Sequence, residues 1–253
     1  MLGVVRFTLA AALLSAGACV RDETPQRVPL VVFAASSLTE AFEALEPGFE
    51  AEHPQLDVQF VFSGSQVLRL QIEQGAAADV FASADASHMD ALATAGRVGE
   101  PRMFAGNHLV VIVPQDNPAE LGGFDDLKTA ARIVVGTPNV PVGAYTRAML
   151  ARTPQSFADA VRAAVVSEEA NVRLVRAKVE LGEADAAVVY RTDVSDRVVA
   201  FEVPPAYDVP VRYPIAAVAD SGRSADADAF VAYVRSPAGQ AVLRELGFDP
   251  EVE

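Results

Sequence analysis

The chain reads as an α/β protein of two lobes, each a mixed but mainly parallel sheet flanked by helices. Three observations predict this. Between residues 30 and 96, apolar runs of strand length alternate with helical runs, the βαβαβα order that makes a parallel sheet with helices on both faces. A second series of the same kind starts at Leu109. With 253 residues, 51% of them hydrophobic, the chain has material for two modest cores.

In the first series, residues 30–33 are a short buried strand, and Phe42, Leu45 and Phe49 recur at helical spacing over residues 39–52. Residues 58–62 are a second strand. Residues 67–74 are a helix closed by Gly75 as the residue past its C-cap. A third strand covers residues 79–82. Asp85 then reads as the N-cap of a helix that runs through Met89 and Leu92 to Gly96.

The second series opens with the long apolar strand 109–114 and continues with a strand at 132–135 and a helix at 144–150. A helix at 172–181 ends at Gly182, and residues 186–190 are a strand. Residues 213–218 read as a strand returning the chain. Two tail helices follow, one carrying Phe230, Val231 and Val234. The other starts at Ser236-Pro237, an N-cap with proline at the first helical position, and stops at Gly247.

This order partitions the chain. Lobe 1 is residues 30–108 plus 214–253, and lobe 2 is residues 109–213. The runs near 108–114 and 211–218 are the crossings, and the tail helices rejoin lobe 1. Residues 1–18 read as a signal peptide: Arg6 is the positive end, and residues 7–14 are an apolar stretch too short to span a bilayer. Ala16-Gly17-Ala18 before Cys19 suits ordinary signal peptidase and also resembles a bacterial lipobox, with Ala16 where a leucine is usual. Both readings cut before Cys19. It is the single cysteine, so it has no internal disulfide partner and is expected to be lipidated. Residues 19–29 form a polar tether.

Four junctions carry the chemistry. At each, a strand-like run ends in small or hydroxyl residues and a helix starts at once: around Ser36 and Ser37, around Ser63-Gly64-Ser65, from Gly136 to Gly143, and from Glu169 to Arg173. A helix N-terminus presents unpaired N–H groups and about half a positive charge, so it attracts anions. None of the four has Lys or Arg at its core, which suits a small oxyanion held by neutral donors. Ser37-Leu38-Thr39-Glu40 also matches a capping box, and Ser65 repeats that arrangement before Val67. Capping and anion contact are compatible, because a hydroxyl accepts through oxygen and donates through hydrogen. Val142 and Val172 can contribute only backbone N–H groups. Tyr190 ends an apolar strand, where its hydroxyl can reach a cleft. A cleft between two such lobes gathers all four junctions at the carboxyl ends of the strands.

The formal net charge of −14 argues against a nucleic-acid partner and means that long-range steering repels an anion. His53, His88 and His108 are isolated and read as surface or loop histidines. Arg69, Arg147 and Arg173, each near a junction, read as solvated helix-surface residues. No Gly-x-Ser-x-Gly elbow, Walker A loop or Gly-x-Gly-x-x-Gly turn is present. A triad built on Ser37 stays open at this level, as the alternative of a lipid-anchored hydrolase.

The motifs Ala34-Ala35-Ser36-Ser37-Leu38-Thr39, Gln71 through Asp85, Val140-Pro141-Val142-Gly143 and Val188-Val189-Tyr190 together resemble the periplasmic molybdate-binding proteins of ABC importers. Asn107-His108-Leu109-Val110-Val111 and Tyr213-Pro214-Ile215-Ala216 are similar to that family's crossover strands. The resemblance runs in order from about Val28 to Phe248. It implies the type II periplasmic-binding-protein fold, a monomer that closes on molybdate or tungstate and docks on a membrane permease, and no cofactor. Carried over motif by motif, it assigns Ser37 and Ser65 as hydroxyl ligands, Val142 and Val172 as amide ligands and Tyr190 as the phenol. Ser36 stands as the other candidate in the first motif. A receptor for another oxyanion, such as sulfate or phosphate, is the alternative within the same fold.

Overall fold

A computed structural model of the chain describes residues 27–250. Residues 1–18, read as a signal peptide, and Cys19 lie outside the described residues. Among the described residues, ten strands form two five-stranded sheets built on one plan.

In the first sheet, β1 (Val28–Ala35) lies parallel between β2 (Leu56–Ser63) and β3 (Val80–Ala82). The order continues through β10 (Val211–Ala217), antiparallel to β3, to β4 (Arg102–Asn107) at the edge. In the second sheet, β6 (Ile133–Gly136) lies parallel between β7 (Val165–Glu169) and β8 (Ala186–Tyr190). There β5 (Leu109–Pro114) runs antiparallel to both β8 and β9 (Val198–Glu202). Each sheet thus has four strands running one way and a single reversed strand, β10 in the first and β5 in the second.

The helices are α1 (Thr39–Glu52), α2 (Ser65–Glu73) and α3 (Ala86–Thr94) beside the first sheet. Beside the second are α4 (Pro141–Leu150), α5 (Gln155–Ala163) and α6 (Val172–Glu180). The tail helices α7 (Ser224–Arg235) and α8 (Pro237–Glu245) pack back on the first sheet's α1 and β10. Phe42, Phe49, Phe104 and Phe230 fill that core, with the Phe49 and Phe230 ring centroids 5.0 Å apart edge to face. The second core is mainly aliphatic, with all six residues of β5 buried and Phe124 stacked on Phe157 at 5.0 Å.

The stop signals act where the sequence places them. Gly75, Gly96, Gly182 and Gly247 all have positive φ. At α2, the Gly75 N–H donates to the Ile72 carbonyl and the Ala76 N–H to that of Gln71, the paired bonds of a left-handed glycine cap. Asp85 and Ser236 cap their helices as expected, accepting from the N–H groups of His88 and Gly239.

Several expectations change. Of the stretch 19–29 expected to be a tether, Val28 and Pro29 belong to β1 instead. Proline is tolerated there because β1 has only β2 beside it until Val32. The capping boxes do not form. Ser36–Leu38 make a 3-10 turn, so α1 has Leu38 at its N-cap with no side-chain bond, and Ser65 is the first residue of α2 behind Gly64. The 211–218 run is not a crossing, since β10 is a full member of the first sheet. The chain leaves that sheet through His108 alone, between β4 and β5, and returns through the loop at residues 203–210. Edge strands β4 and β9 and helix α5 escape the sequence reading, because half-exposed edges carry a diluted apolar pattern.

Candidate functional site

Three helices and one 3-10 turn begin at a common hollow between the two sheets. Ser36, Ser37, Ser65, Val142, Val172 and Tyr190 all line it, joined by Ala84, Asn171 and the turn at Pro141. Its cavity volume is about 10 Å³, so the walls stand close together. The six residues expected to contact the anion are therefore brought to one place.

The hydroxyls differ in their commitments. Ser65 is fully buried, and its Oγ accepts the Ala84 N–H at 3.1 Å. That bond fixes the oxygen and leaves the hydroxyl hydrogen free to be given. Among the described residues Ser37 Oγ is buried without a hydrogen-bond partner, although it lies near enough to the Tyr213 phenol to oppose the rise in that phenol's pKa. Tyr190, 1% exposed at the end of β8, likewise has an unpartnered hydroxyl. Burial pushes the Tyr190 phenol well above its ordinary pKa, so it keeps its proton. Ser36 serves the wall through its carbonyl, which accepts from Thr39 Oγ1 at 2.9 Å and from Arg173 Nε at 3.0 Å.

The helix starts add amides. Asn171 caps α6 by accepting the Leu174 N–H at 3.0 Å, which leaves the Val172 N–H uncommitted. At α4 the N-cap is Val140, which has no side-chain acceptor, and Pro141 has no N–H, so Val142 offers the first free donor. Among the described residues, the N–H groups of Ser65, Val142 and Val172 have no acceptor. Gly143 lets α4 settle on the end of β6, because a Cβ there would stand 2.1 Å from the Thr137 carbonyl. Gly64 does the same between lobes, where a Cβ would meet the Ala170 carbonyl at 2.5 Å.

Contacts across the cleft hold its rims. Gln66 Nε2 donates to the Ala170 carbonyl at 2.7 Å. His88 is buried, and its Nε2 lies 2.8 Å from the Asn139 carbonyl, so it is no surface histidine. His108 is also committed, with Nδ1 2.6 Å from Asp208 and Nε2 3.1 Å from Asp249 at the crossing. Of the three arginines, only Arg69 behaves as a helix-surface residue, pairing with Glu73 at 2.9 Å. Arg147 clamps the carbonyls of Gly136 and Gly143. Arg173 leaves α6 to reach Ser36 and Glu40 on the opposite lobe. Behind it, Asp193 is 1% exposed, with Oδ2 unpartnered and Oδ1 3.9 Å from Arg173 Nε. Burial pushes its carboxyl up to about 7 against the opposing pull of Arg173 and Arg176. Sequence reasoning missed this pair because the two residues are twenty positions apart on separate elements.

The wall therefore gives hydrogens and, at its lining, carries no charge. Such a site holds an acceptor-rich anion. Neither serine is hydrogen-bonded to a histidine, the arrangement that activates a serine nucleophile.

Residues 30–249 match the family of bacterial extracellular solute-binding proteins. The chain belongs to that family. It is 40% identical over 224 residues to the molybdate-binding protein ModA of Mycobacterium tuberculosis, covering 87% of this chain and 84% of that protein. It is 32% identical over 235 residues to a putative ABC transporter substrate-binding lipoprotein, YvgL, of Bacillus subtilis, covering 90% and 89%. Among solved structures, the periplasmic molybdate-binding protein of Azotobacter vinelandii superposes with a TM-score of 0.76 at 20% identity, covering 88% of this chain and 100% of that one. That likeness shows the type II periplasmic-binding-protein fold. The family's role is to bind a solute outside the cytoplasm.

Proposed function

We propose that this chain captures molybdate outside the cytoplasmic membrane and delivers it to an ABC import permease. The observation that carries the reading is the pair of buried, unpartnered hydroxyls, Ser37 from one lobe and Tyr190 from the other, facing one hollow rimmed by free helix amides. The M. tuberculosis relative is a molybdate-binding protein. The same pocket takes tungstate, its near-isostere. Ser37 and Ser65 give hydroxyl hydrogens, Val142 and Val172 give amides and Tyr190 gives its phenol. Ser36 contributes wall and backbone rather than a direct hydroxyl. No cofactor takes part.

The chemistry follows from the donors. A fully deprotonated dianion has only acceptors, so each wall group gains by giving a hydrogen. A hydrogen bond to a charged group contributes about 1.5–3 kcal/mol net, so five of them outweigh desolvation and ordering without any cation. Protonated phosphate is disfavoured because its O–H finds no acceptor on such a wall. Neutral donors also let the anion go when the lobes part at the permease.

The partition into residues 30–108 with 214–253 and residues 109–213 belongs to the same proposal. The pairing of Val211 with Asn107 supports placing the return a few residues earlier. Cys19 anchors the otherwise monomeric receptor to the outer membrane leaflet through lipid, and Cys19→Ser is expected to release it from membranes. Titration calorimetry against molybdate, tungstate, sulfate and phosphate tests the ligand. Tight binding of the first two and weak binding of the others is expected, and equal or tighter sulfate binding would overturn the assignment.

A further inference from the structure

Building on the oxyanion reading of the cleft, we propose that Asp193 takes up a proton when the anion binds, which makes capture by this chain dependent on pH. Asp193 lies in the 3-10 turn Arg191–Asp193, three residues beyond Tyr190 on the cleft wall. It is a buried carboxyl with one oxygen unpartnered. Its nearest cation, Arg173, stands 3.9 Å from the other oxygen and is already engaged with the Ser36 carbonyl and Glu40. The same guanidinium therefore touches the cleft wall on one side and faces Asp193 on the other.

The charged and titratable groups around Asp193 come from five elements. From α6, Arg176 donates to the Asp193 backbone carbonyl at 3.1 Å, while its Nε lies 3.1 Å from Glu180. Arg173 comes from the same helix, and Glu40 of α1 faces Arg173. Tyr190 of β8 and Tyr213 of β10 are buried phenols that feel the Asp193 charge. Asp85, the N-cap of α3, acts on Tyr190 from the opposite side and has its oxygens taken up by the His88 N–H and the Ser87 hydroxyl.

A dianion entering this hollow adds two negative charges to a dry region that already holds Asp193, with the buried Asp85 carboxylate on the opposite side. Like charges at low dielectric are relieved by protonation of the group that can accept a proton. Once Asp193 is neutral, the charge of Arg173 is no longer spent on it and acts on the anion behind the Ser36 wall. Buried beside Arg173, Asp193 has its pKa pushed up to about 7, so both forms are populated before binding. The bound anion raises it further. Below that value the proton is already in place and pH has little effect. Above it, affinity falls with rising pH, with a limiting slope of about tenfold per pH unit.

The test is molybdate titration calorimetry on the mature chain in buffers of different ionisation enthalpy. We expect uptake approaching one proton at about pH 8 and close to none at about pH 6. Asp193→Asn should abolish the uptake and flatten the pH dependence of Kd; Asp193→Ser serves the same comparison if the amide variant does not fold. Binding without proton uptake at about pH 8 overturns the inference and leaves the oxyanion reading standing. Uptake that persists in either variant also overturns it, because another group is then the acceptor. Absence of binding to any tested oxyanion overturns the underlying reading instead.

Discussion

Ser37→Ala and Ser65→Ala separate binding from stability, because the two hydroxyls have different commitments. Among the described residues Ser37 Oγ has no hydrogen-bond partner, so its removal costs the free receptor little and relieves a buried, unpartnered group. Ser65 Oγ accepts the Ala84 N–H, so its removal strands a buried donor at a cost of about 1–3 kcal/mol. For a chain of this size each kcal/mol moves Tm by about 2–4 °C, so Ser65→Ala should lower the ligand-free Tm by roughly 2–12 °C. Ser37→Ala should leave that Tm unchanged or slightly raised. Each variant loses one hydrogen bond to the anion, about 1.5–3 kcal/mol, which weakens Kd roughly 10- to 150-fold. Thermal melts with and without excess molybdate, alongside calorimetric Kd values, read both quantities. Wild-type affinity in Ser37→Ala, or a ligand-free Tm loss equal to that of Ser65→Ala, would refute the reasoning.

Tyr190→Phe removes the other unpartnered hydroxyl, so affinity should fall by a similar factor while the ligand-free melt holds steady; a large Tm loss would mean that the phenol serves the fold instead. Gly143→Ala should destabilise by about 1–3 kcal/mol or more, since its Cβ would collide with the Gly136 and Thr137 carbonyls; an unchanged denaturation midpoint would contradict that packing. Asp193 has a folded-state pKa raised from 3.8 to about 7, so its contribution to stability is complete below the lower value and is lost as pH rises through the upper one. Asp193→Asn should therefore gain on the wild type in Tm as pH rises from about 5 to about 8, and a pH-independent difference would exclude a neutral buried carboxyl.

The alternation of strand and helix, the glycine stops and the junction residues are local properties, and the chain states them openly. Asp85 and Ser236 cap their helices, and Gly75, Gly96, Gly182 and Gly247 take positive φ, because capping and left-handed turns are decided within a few residues. The capping box at Ser37 failed for an equally local reason: the 3-10 turn at Ser36–Leu38 shifts the helix start and withdraws the serine from its N–H. Edge strands β4 and β9 were hidden because their pairing is supplied by distant partners rather than by their own pattern.

By itself the sequence determined which backbone amides and hydroxyls exist without local partners, since a helix start exposes its first N–H groups wherever it stands. Tertiary structure alone decided that these donors face one another, and that Ser65 is tied to Ala84 while Ser37 is not. It also decided that Arg173 spans the cleft with Asp193 behind it. Those facts depend on groups 19 to 137 positions apart along the chain, as in Ser65 with Ala84 and Arg173 with Ser36. Proximity of that kind is set by how two sheets pack, and no local spacing encodes it.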